Sequence, residues 1–406
     1  MEWKEVRLGD IADVQTGPFG SQLHKSDYIA EGIPCIMPTN IGPHLNFIVD
    51  GIAHVSEVDA NRLSRHLTEI GDIIYARRGD IEKCAYVTTN EEKWLCGTGC
   101  LKIRCNNEVN SRFIAYLLST AECKKWITGN AVGTTMLNLS KGILSNLPLL
   151  VPSHEDQRRI ASILSSLDRK IELNNKINAD LEEMAQAIFK NWFVDFEPFK
   201  DGKFVDSELG KIPEGWKVGR LTDIIKLMPG GTPKTSEPLY WDNGTIPFFS
   251  PKDVNGVYCF ATEKHITETG LNKCSSNLYP KDTIFITCRG TVGKVCLAAC
   301  DMAMNQSNYA IRAIDGYSQY YVFFLVKSVV ERLIKKSNGA VFSAITSKDF
   351  DEEILIPSQK AVEDFTNVID GFFRRIFTIG TETSRLSLLR DTLLPRLMSG
   401  EIEVPE

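Results

Sequence analysis

The chain is written twice, and that doubling limits its fold more than any other feature. Trp3-Lys4-Glu5-Val6-Arg7-Leu8-Gly9-Asp10-Ile11 returns as Trp216-Lys217-Val218-Gly219-Arg220-Leu221-Thr222-Asp223-Ile224. Further matches align Ile33-Pro34 with Ile246-Pro247, Pro38 with Pro251, Asp72 with Asp282 and Ile103-Arg104 with Ile311-Arg312. The series ends with Val151-Pro152-Ser153 against Ile356-Pro357-Ser358. The separation is 213 residues at Trp3 (216 − 3) and 205 at Pro152 (357 − 152), so the copies are similar in length. Two diverged copies of one unit predict a pseudo-two-fold molecule. Such a molecule suits a target that itself has two parts.

Each copy runs through the same parts. The first 150 or so residues alternate short β-branched and aromatic runs (Ile73-Ile74-Tyr75; Thr283 to Thr287) with Gly, Pro and Asn turns. That pattern predicts strands and loops. Amphipathic helices are predicted at 112–127 and 319–336. After a Pro-Ser boundary comes a long stretch whose apolar residues step by three and four. They are Ile160, Ile163, Leu164, Leu167, Ile171, Ile177, Leu181, Met184, Ile188 and Trp192 in the first copy. In the second they are Phe365, Val368, Ile369, Phe372, Ile376, Ile379, Leu386, Leu389, Leu393 and Leu397. Such a stripe marks a helical seam.

Ser153 with Asp156 resembles a capping box. Pro395 predicts an end or kink near Leu394. About 40 helical residues make a rod of roughly 60 Å. The charged face (Arg158, Arg159, Asp168, Arg169, Lys170, Glu172, Lys176, Glu182, Glu183) is expected in solvent. Two narrow stripes can bury each other, so the helices are expected to pair antiparallel as a coiled coil within the chain. The alternative is that each packs on its own globular half.

Composition bounds function only loosely. The 406 residues are 43% apolar and 24% charged, with a net charge of −6. That is ordinary for a globular protein and weighs against a non-specific nucleic-acid coat. It leaves room for a reader whose cations gather on one face. The first residues carry no apolar leader segment, and no run approaches a membrane span. The 11 cysteines, scattered and odd in number, are expected as reduced thiols in the cytoplasm.

Several segments resemble the specificity subunit of type I restriction–modification systems. They are the connector Ser207 to Trp216, the stretch Asp156-Gln157-Arg158-Arg159-Ile160-Ala161 through Leu167-Asp168, and Ile188 to Phe193. The C-terminal Leu393-Leu394-Pro395-Arg396-Leu397-Met398-Ser399-Gly400-Glu401-Ile402 belongs with them. So does Thr287-Cys288-Arg289-Gly290-Thr291-Val292-Gly293-Lys294, which resembles the family's Thr-Arg-Gly recognition motif with a Cys inserted. The first copy has only Ala76-Arg77-Arg78-Gly79-Asp80, without the second Gly.

The resemblance implies an α+β chain of two similar α/β target recognition domains, at 1–152 and 213–357. Two long antiparallel helices, one at 153–196 and one within 358–406 that includes a C-terminal tail, join them, with a connector at 197–212. Each domain would read one part of a bipartite DNA site, asymmetric here because the globular halves differ most. The helices would set the spacing and dock two methyltransferase subunits, with restriction subunits in the full complex. The chain itself would be non-catalytic and hold no cofactor. S-adenosylmethionine, ATP and Mg would belong to the partner subunits. DNA half-sites lie roughly 34–36 Å apart, and a 60 Å rod is long enough to set such a separation.

Candidate DNA contacts follow from repeated position and residue type. Arg77, Arg78 and Lys83 in the first copy face Arg289 and Lys294 in the second. Arg reads guanine edges and clamps phosphates, while a surface salt bridge is the alternative. A polar segment flexed by Gly129 and Gly133 offers Asn130, Thr134, Thr135, Asn138, Ser140 and Lys141. Its counterpart offers Asn338, Ser343, Thr346, Ser347 and Lys348, and ordinary surface loops are the alternative. Asn305 and Gln306 could present amides to adenine or cap a strand. Lys25, Lys234, Thr235 and Lys252 are candidate phosphate contacts. The matched Trp3 and Trp216, with Trp192 and Trp241, read as packing rather than base stacking.

Chemistry of other kinds finds little support. Cys96, Cys100 and Cys105, or Cys296 and Cys300, lack zinc-knuckle spacing and nearby His. Gly97-Thr98-Gly99 is too short for a dinucleotide loop, and Gly290 to Lys294 is not a P-loop. Asp80 with Glu91 and Glu92 is the nearest approach to a nuclease carboxylate cluster. The rival readings are a fused restriction or methylation enzyme, for which the repeat leaves no unassigned domain, and a protein scaffold that never touches DNA.

Overall fold

The computed structural model describes residues 2–133, 137–336 and 344–404. It divides into two compact units. One comprises Met1–Lys170 with Ser387–Glu406, the other Ile171–Leu386.

In the first unit the β-branched run Ile73–Ala76 is an inner strand, flanked by Cys84–Tyr86 and by Cys100–Cys105, with Ala12–Thr16 beyond. Its alternation works on both faces. Ile73 and Tyr75 join a cluster with Leu101, Ile103 and helix residues Phe113 and Ile114. Ile74 and Ala76 pack instead with Ile36, Cys96 and Cys100. A second four-stranded sheet holds Tyr28–Ile29, Ala53–Val55, Ile33–Ile36 and Leu95–Cys96. Lys4–Arg7 pairs antiparallel with Pro148–Val151, which ties the start of the copy to its end.

The second unit repeats this order. Ile225–Pro229, Asn308–Ala313, Ile284–Thr287 and Val295–Ala298 lie side by side, and Tyr258–Cys259 adds a fifth strand. Ile246–Phe249 lies between Lys264–Ile266 and Ala303–Met304, and Lys217–Arg220 pairs with Glu353–Ile356. Ile284 faces Ile311 as Ile73 faces Ile103. This register corrects one sequence match. Val87 N–H donates to Asp72 O as Ala298 N–H donates to Thr283 O, so Asp72 corresponds to Thr283, not Asp282.

The helix expected at 112–127 is two helices, Ser111–Leu118 and Ala121–Asn130. The hydroxyls of Ser119 and Thr120 donate to Tyr116 O and Leu117 O, both at 2.7 Å, and Thr120 caps the second helix. This is the local competition that makes such residues helix ends. Its counterpart Gln319–Lys336 is unbroken.

The two long helices are His154–Phe193 and Gln359–Met398, and each unit contains a length of both. In the second unit they run antiparallel. Asn174 Nδ2 donates to Glu382 Oε2 at 2.9 Å, Asn178 Nδ2 donates to Ile376 O at 3.3 Å, and Phe193 meets Phe365 at 4.9 Å. In the first unit Arg390 Nη1 sits 3.2 Å from Asp168 Oδ1.

The seam departs from the apolar stripe in detail. Met184 is 53% exposed, and Val368 and Leu389 are also exposed. Ala185, Phe189 and Phe193 are buried instead, and so is the polar Asn174. A helical period of 3.6 drifts against fixed steps of three and four. Asp168 and Glu182, expected in solvent, are partnered by Arg390 and Lys327.

Pro395 does not end the second helix, which continues to Met398. So close to the terminus its missing N–H forfeits a single helical bond. Ser153 caps the first helix through Asp156 N–H at 3.2 Å, but the Asp156 carboxylate takes the Ser153 hydroxyl, so the box is not reciprocal through the backbone. The connector contains a hairpin, Phe204–Ser207 with Gly210–Pro213. Trp216 packs among Phe193, Phe196 and Phe199. Trp3 is half-buried, and its indole lies so close to Gly400 that a Cβ there would sit 2.6 Å from Nε1.

Candidate nucleic-acid interface

The two copies build the same loop junction at one end of the sheet. After the inner strand, Ala76 N–H donates to Lys83 O at 2.9 Å, and Thr287 N–H donates to Lys294 O at 2.9 Å. One residue on, Arg77 N–H reaches Gly99 O at 2.8 Å and Cys288 N–H reaches Ser307 O at 2.9 Å. The carbonyls of Arg77 and Cys288 accept from Leu139 N–H (2.9 Å) and Ile345 N–H (3.0 Å). Arg78 bridges to Asn138 as Arg289 bridges to Ala344. Arg78 and Arg289 are therefore equivalent, and Cys288 replaces Arg77 rather than being inserted. Gly79 (φ 76°) and Gly290 (φ 81°) follow in the left-handed region, which glycine adopts without strain. The loops share this start and then diverge: Gly293 takes a φ of 87° and donates to Thr287 O at 2.8 Å, whereas its counterpart Glu82 donates to Asp80 Oδ1 at 3.4 Å.

Two further loops close the junction. Gly17 N–H donates to Cys100 O and Gly231 N–H to Met304 O, both at 3.0 Å. A Cβ on Gly17 would lie 2.0 Å from Gly97 O, and one on Gly230 would lie 2.0 Å from Asn305 O. Gly97 N–H and Asn305 N–H reach back to Ile36 O and Phe249 O at 2.9 and 3.0 Å. Segments distant in sequence are locked together by main-chain bonds, with glycines where chains cross.

In the first unit the junction gathers Arg77, Arg78 and Asn138. Arg78 is exposed, whereas Arg77 is half-buried with its guanidinium 6.0 Å from the Phe19 ring centroid. Lys83 and Lys141 are exposed but paired, with Asp80 and Asp13, each at 3.2 Å. Asn130 is turned onto its own helix, donating to Trp126 O at 2.8 Å. Lys25 is exposed in a separate turn, Lys25–Asp27. Thr134 and Thr135 lie outside the described residues.

In the second unit Arg289 and Lys294 are exposed on the equivalent loop, and Thr291 Oγ1 donates to Pro251 O at 3.5 Å, beside Lys252. Lys252 is exposed, with Glu263 3.9 Å away. Asn305 Oδ1 accepts from Ser307 N–H (3.0 Å) and Asn308 Nδ2 (2.6 Å), which occupies the oxygen a bidentate adenine contact requires. Gln306 is exposed and accepts from Thr232 Oγ1. Lys234 and Thr235 are exposed, with Lys234 O accepting from Trp241 Nε1 at 3.2 Å. Lys348 is exposed in the turn Ser347–Phe350. Asn338 and Ser343 lie outside the described residues.

Phe19 and Thr232 belong to the same junctions and were not singled out by sequence reasoning. Only the paired glycines, Gly17 and Gly230, could have drawn attention to them. Behind the first junction Cys35 and Cys96 are buried, and burial pushes both thiols up to about 12. They stay protonated at neutral pH, a poor state for metal binding. No group of three metal-capable side chains occurs among the described residues. No helix among them is long and apolar enough to cross a membrane. Exposed guanidinium groups on locked loops can clamp phosphates or reach guanine edges.

Similarity to known proteins follows the same doubling. The sequence profile described as "Type I restriction modification DNA specificity domain" matches residues 1–183 and again 213–371. The chain is 28% identical over 413 residues to the type I restriction enzyme MjaIX specificity subunit of Methanocaldococcus jannaschii, covering 100% of this chain and 94% of that protein. It is 28% identical to the HindI specificity subunit of Haemophilus influenzae, covering 99% and 100%. The fold resembles the crystal structure of a type I restriction–modification S subunit from M. genitalium, with a TM-score of 0.60 and 16% identity over 98% of this chain and 96% of that one. These relatives are specificity subunits, in agreement with the reading of this chain as non-catalytic. With its profile matched once in each copy, the chain belongs to the type I restriction–modification DNA specificity family.

Proposed function

We propose that this chain recognises a bipartite, asymmetric duplex DNA site, one part by each domain, and directs methylation there without catalysing it. The observation that carries the reading is the repeated junction, which presents Arg78 and Arg289 at equivalent, exposed positions on bonded loops. The junctions differ in the residues around those arginines, which supports two unlike half-sites. Cys288 stands in the second copy where Arg77 stands in the first, and Thr232 where Phe19 stands. Lys83, Asn138, Lys141, Lys234, Lys252, Lys294 and Lys348 are proposed as further contacts, with Lys25 in its separate turn as a phosphate contact. The two long helices are proposed to dock methyltransferase subunits and, in the full complex, restriction subunits. S-adenosylmethionine, ATP and Mg would reside on those partners.

The test is duplex binding by the chain with its methyltransferase partner across salt concentrations. Phosphate contacts give a steep negative slope of log affinity against log salt. A flat slope would favour the scaffold reading. Turnover by the purified chain with DNA, magnesium and S-adenosylmethionine, without a partner, would favour an enzyme.

A further inference from the structure

Phe19 is 56% exposed, yet its loop is tightly held. Phe19 N–H donates to Gln22 Oε1 at 3.4 Å, and Gln22 N–H donates back to Phe19 O at 3.3 Å. Gln22 O accepts from Arg62 Nη1 at 2.9 Å. Gly17, two residues before, has no room for a Cβ, and Gly20, one after, takes a φ of 62°. The Arg77 guanidinium lies 6.0 Å from the ring centroid, and its buried Nε has no hydrogen-bond partner. A large apolar ring thus stands exposed on a loop whose backbone is held, with a guanidinium 6.0 Å from its centroid, on the junction that also carries Arg78.

A paired duplex offers such a ring one sequence-specific apolar target, the 5-methyl group of thymine in the major groove. A ring on a loop whose backbone is already held costs less ordering on contact than one on a free loop. The second copy has Thr232 and Cys288 in place of this pair, and Thr232 Oγ1 donates to the exposed Gln306, so hydroxyl and amide groups stand where the first copy shows a ring.

We propose that Phe19, braced by Arg77, is a specificity-determining residue that reads a thymine methyl in the half-site bound by the first domain. The inference rests on the DNA-recognition reading above. Its test is a binding selection from randomised duplexes, using the full chain in complex with its methyltransferase partner. Wild type should require thymine at one position where Phe19→Ala accepts any base, with the other half-site unchanged and affinity lower by about 10-fold. Phe19→Leu, which keeps an apolar contact, should retain the preference. Deoxyuridine at that position, which removes only the methyl, should weaken wild type and leave Phe19→Ala unaffected. A shared preference in wild type and Phe19→Ala, or a uniform loss without altered preference, overturns the Phe19 assignment alone. A wild-type complex with no preferred sequence overturns both readings.

Discussion

Arg78 and Arg289 occupy one structural position in two copies, so their removal should act on separate halves of the target. Arg78→Ala is expected to weaken or relax recognition by about 10-fold in one half-site, and Arg289→Ala in the other. Binding selections on the two variants check this, and loss in the same half-site by both would contradict it. Their pairing was legible because a motif written twice identifies its own equivalent residues. Phe19 was not legible, since an apolar letter looks the same whether it ends in a core or in water. His66 was equally silent. It is 1% exposed with Nε2 unpartnered. Burial first, then the charges of Arg65 and Lys102, bring its imidazole down to about 4. In the unfolded chain an imidazole protonates near pH 6.5. Between those values the unfolded state binds a proton that the folded state refuses. Stability should therefore be full above about pH 6.5 and fall by about 2–3 kcal/mol as pH drops towards 4. Urea unfolding from pH 7.5 to 4.5 should show a steeper loss in wild type than in His66→Gln. Parallel curves would refute the assignment.

Loops and helices carry constraints that single residues do not reveal. The crossing at Gly17 and Gly97 has its equivalent at Gly230 and Asn305, and each leaves 2.0 Å for a Cβ. Gly17→Ala or Gly230→Ala should cost about 3 kcal/mol by forcing backbones apart, measured as a lower urea midpoint. A change below about 0.5 kcal/mol would show that the loops can part freely. The long helices were readable in extent but not in facing. Their lack of Gly and Pro through most of their length announced them, yet their seam includes Asn174 and leaves Met184 in solvent. The helix length in the first unit also buries Arg390, 4% exposed, against Asp168, which accepts from Tyr116 Oη as well. Arg390→Leu leaves a carboxylate without its cation and should destabilise by about 3 kcal/mol. Asp168→Asn in that background should recover part of the loss, since it removes the orphaned charge. No recovery would mean that Arg390 acts through packing alone.

For the whole molecule the decisive measurement is the salt dependence of DNA binding by the assembled complex, where each phosphate contact steepens the slope by about one. Lys294→Ala should lower that slope while leaving sequence preference intact, the reverse of the effect expected for Phe19→Ala. The amino-acid sequence alone established the two copies, the long helices and the family, because repeats, periodicity and short motifs are local properties of a chain. It also identified Arg78 and Arg289 as a pair. Only the tertiary structure decided that Gly17, Phe19, Arg77, Gly97 and Asn138 meet at one junction, that Asp72 corresponds to Thr283, and that Arg390 is buried against Asp168. Those facts depend on strand register and on main-chain bonds between segments far apart in sequence, which no local pattern encodes.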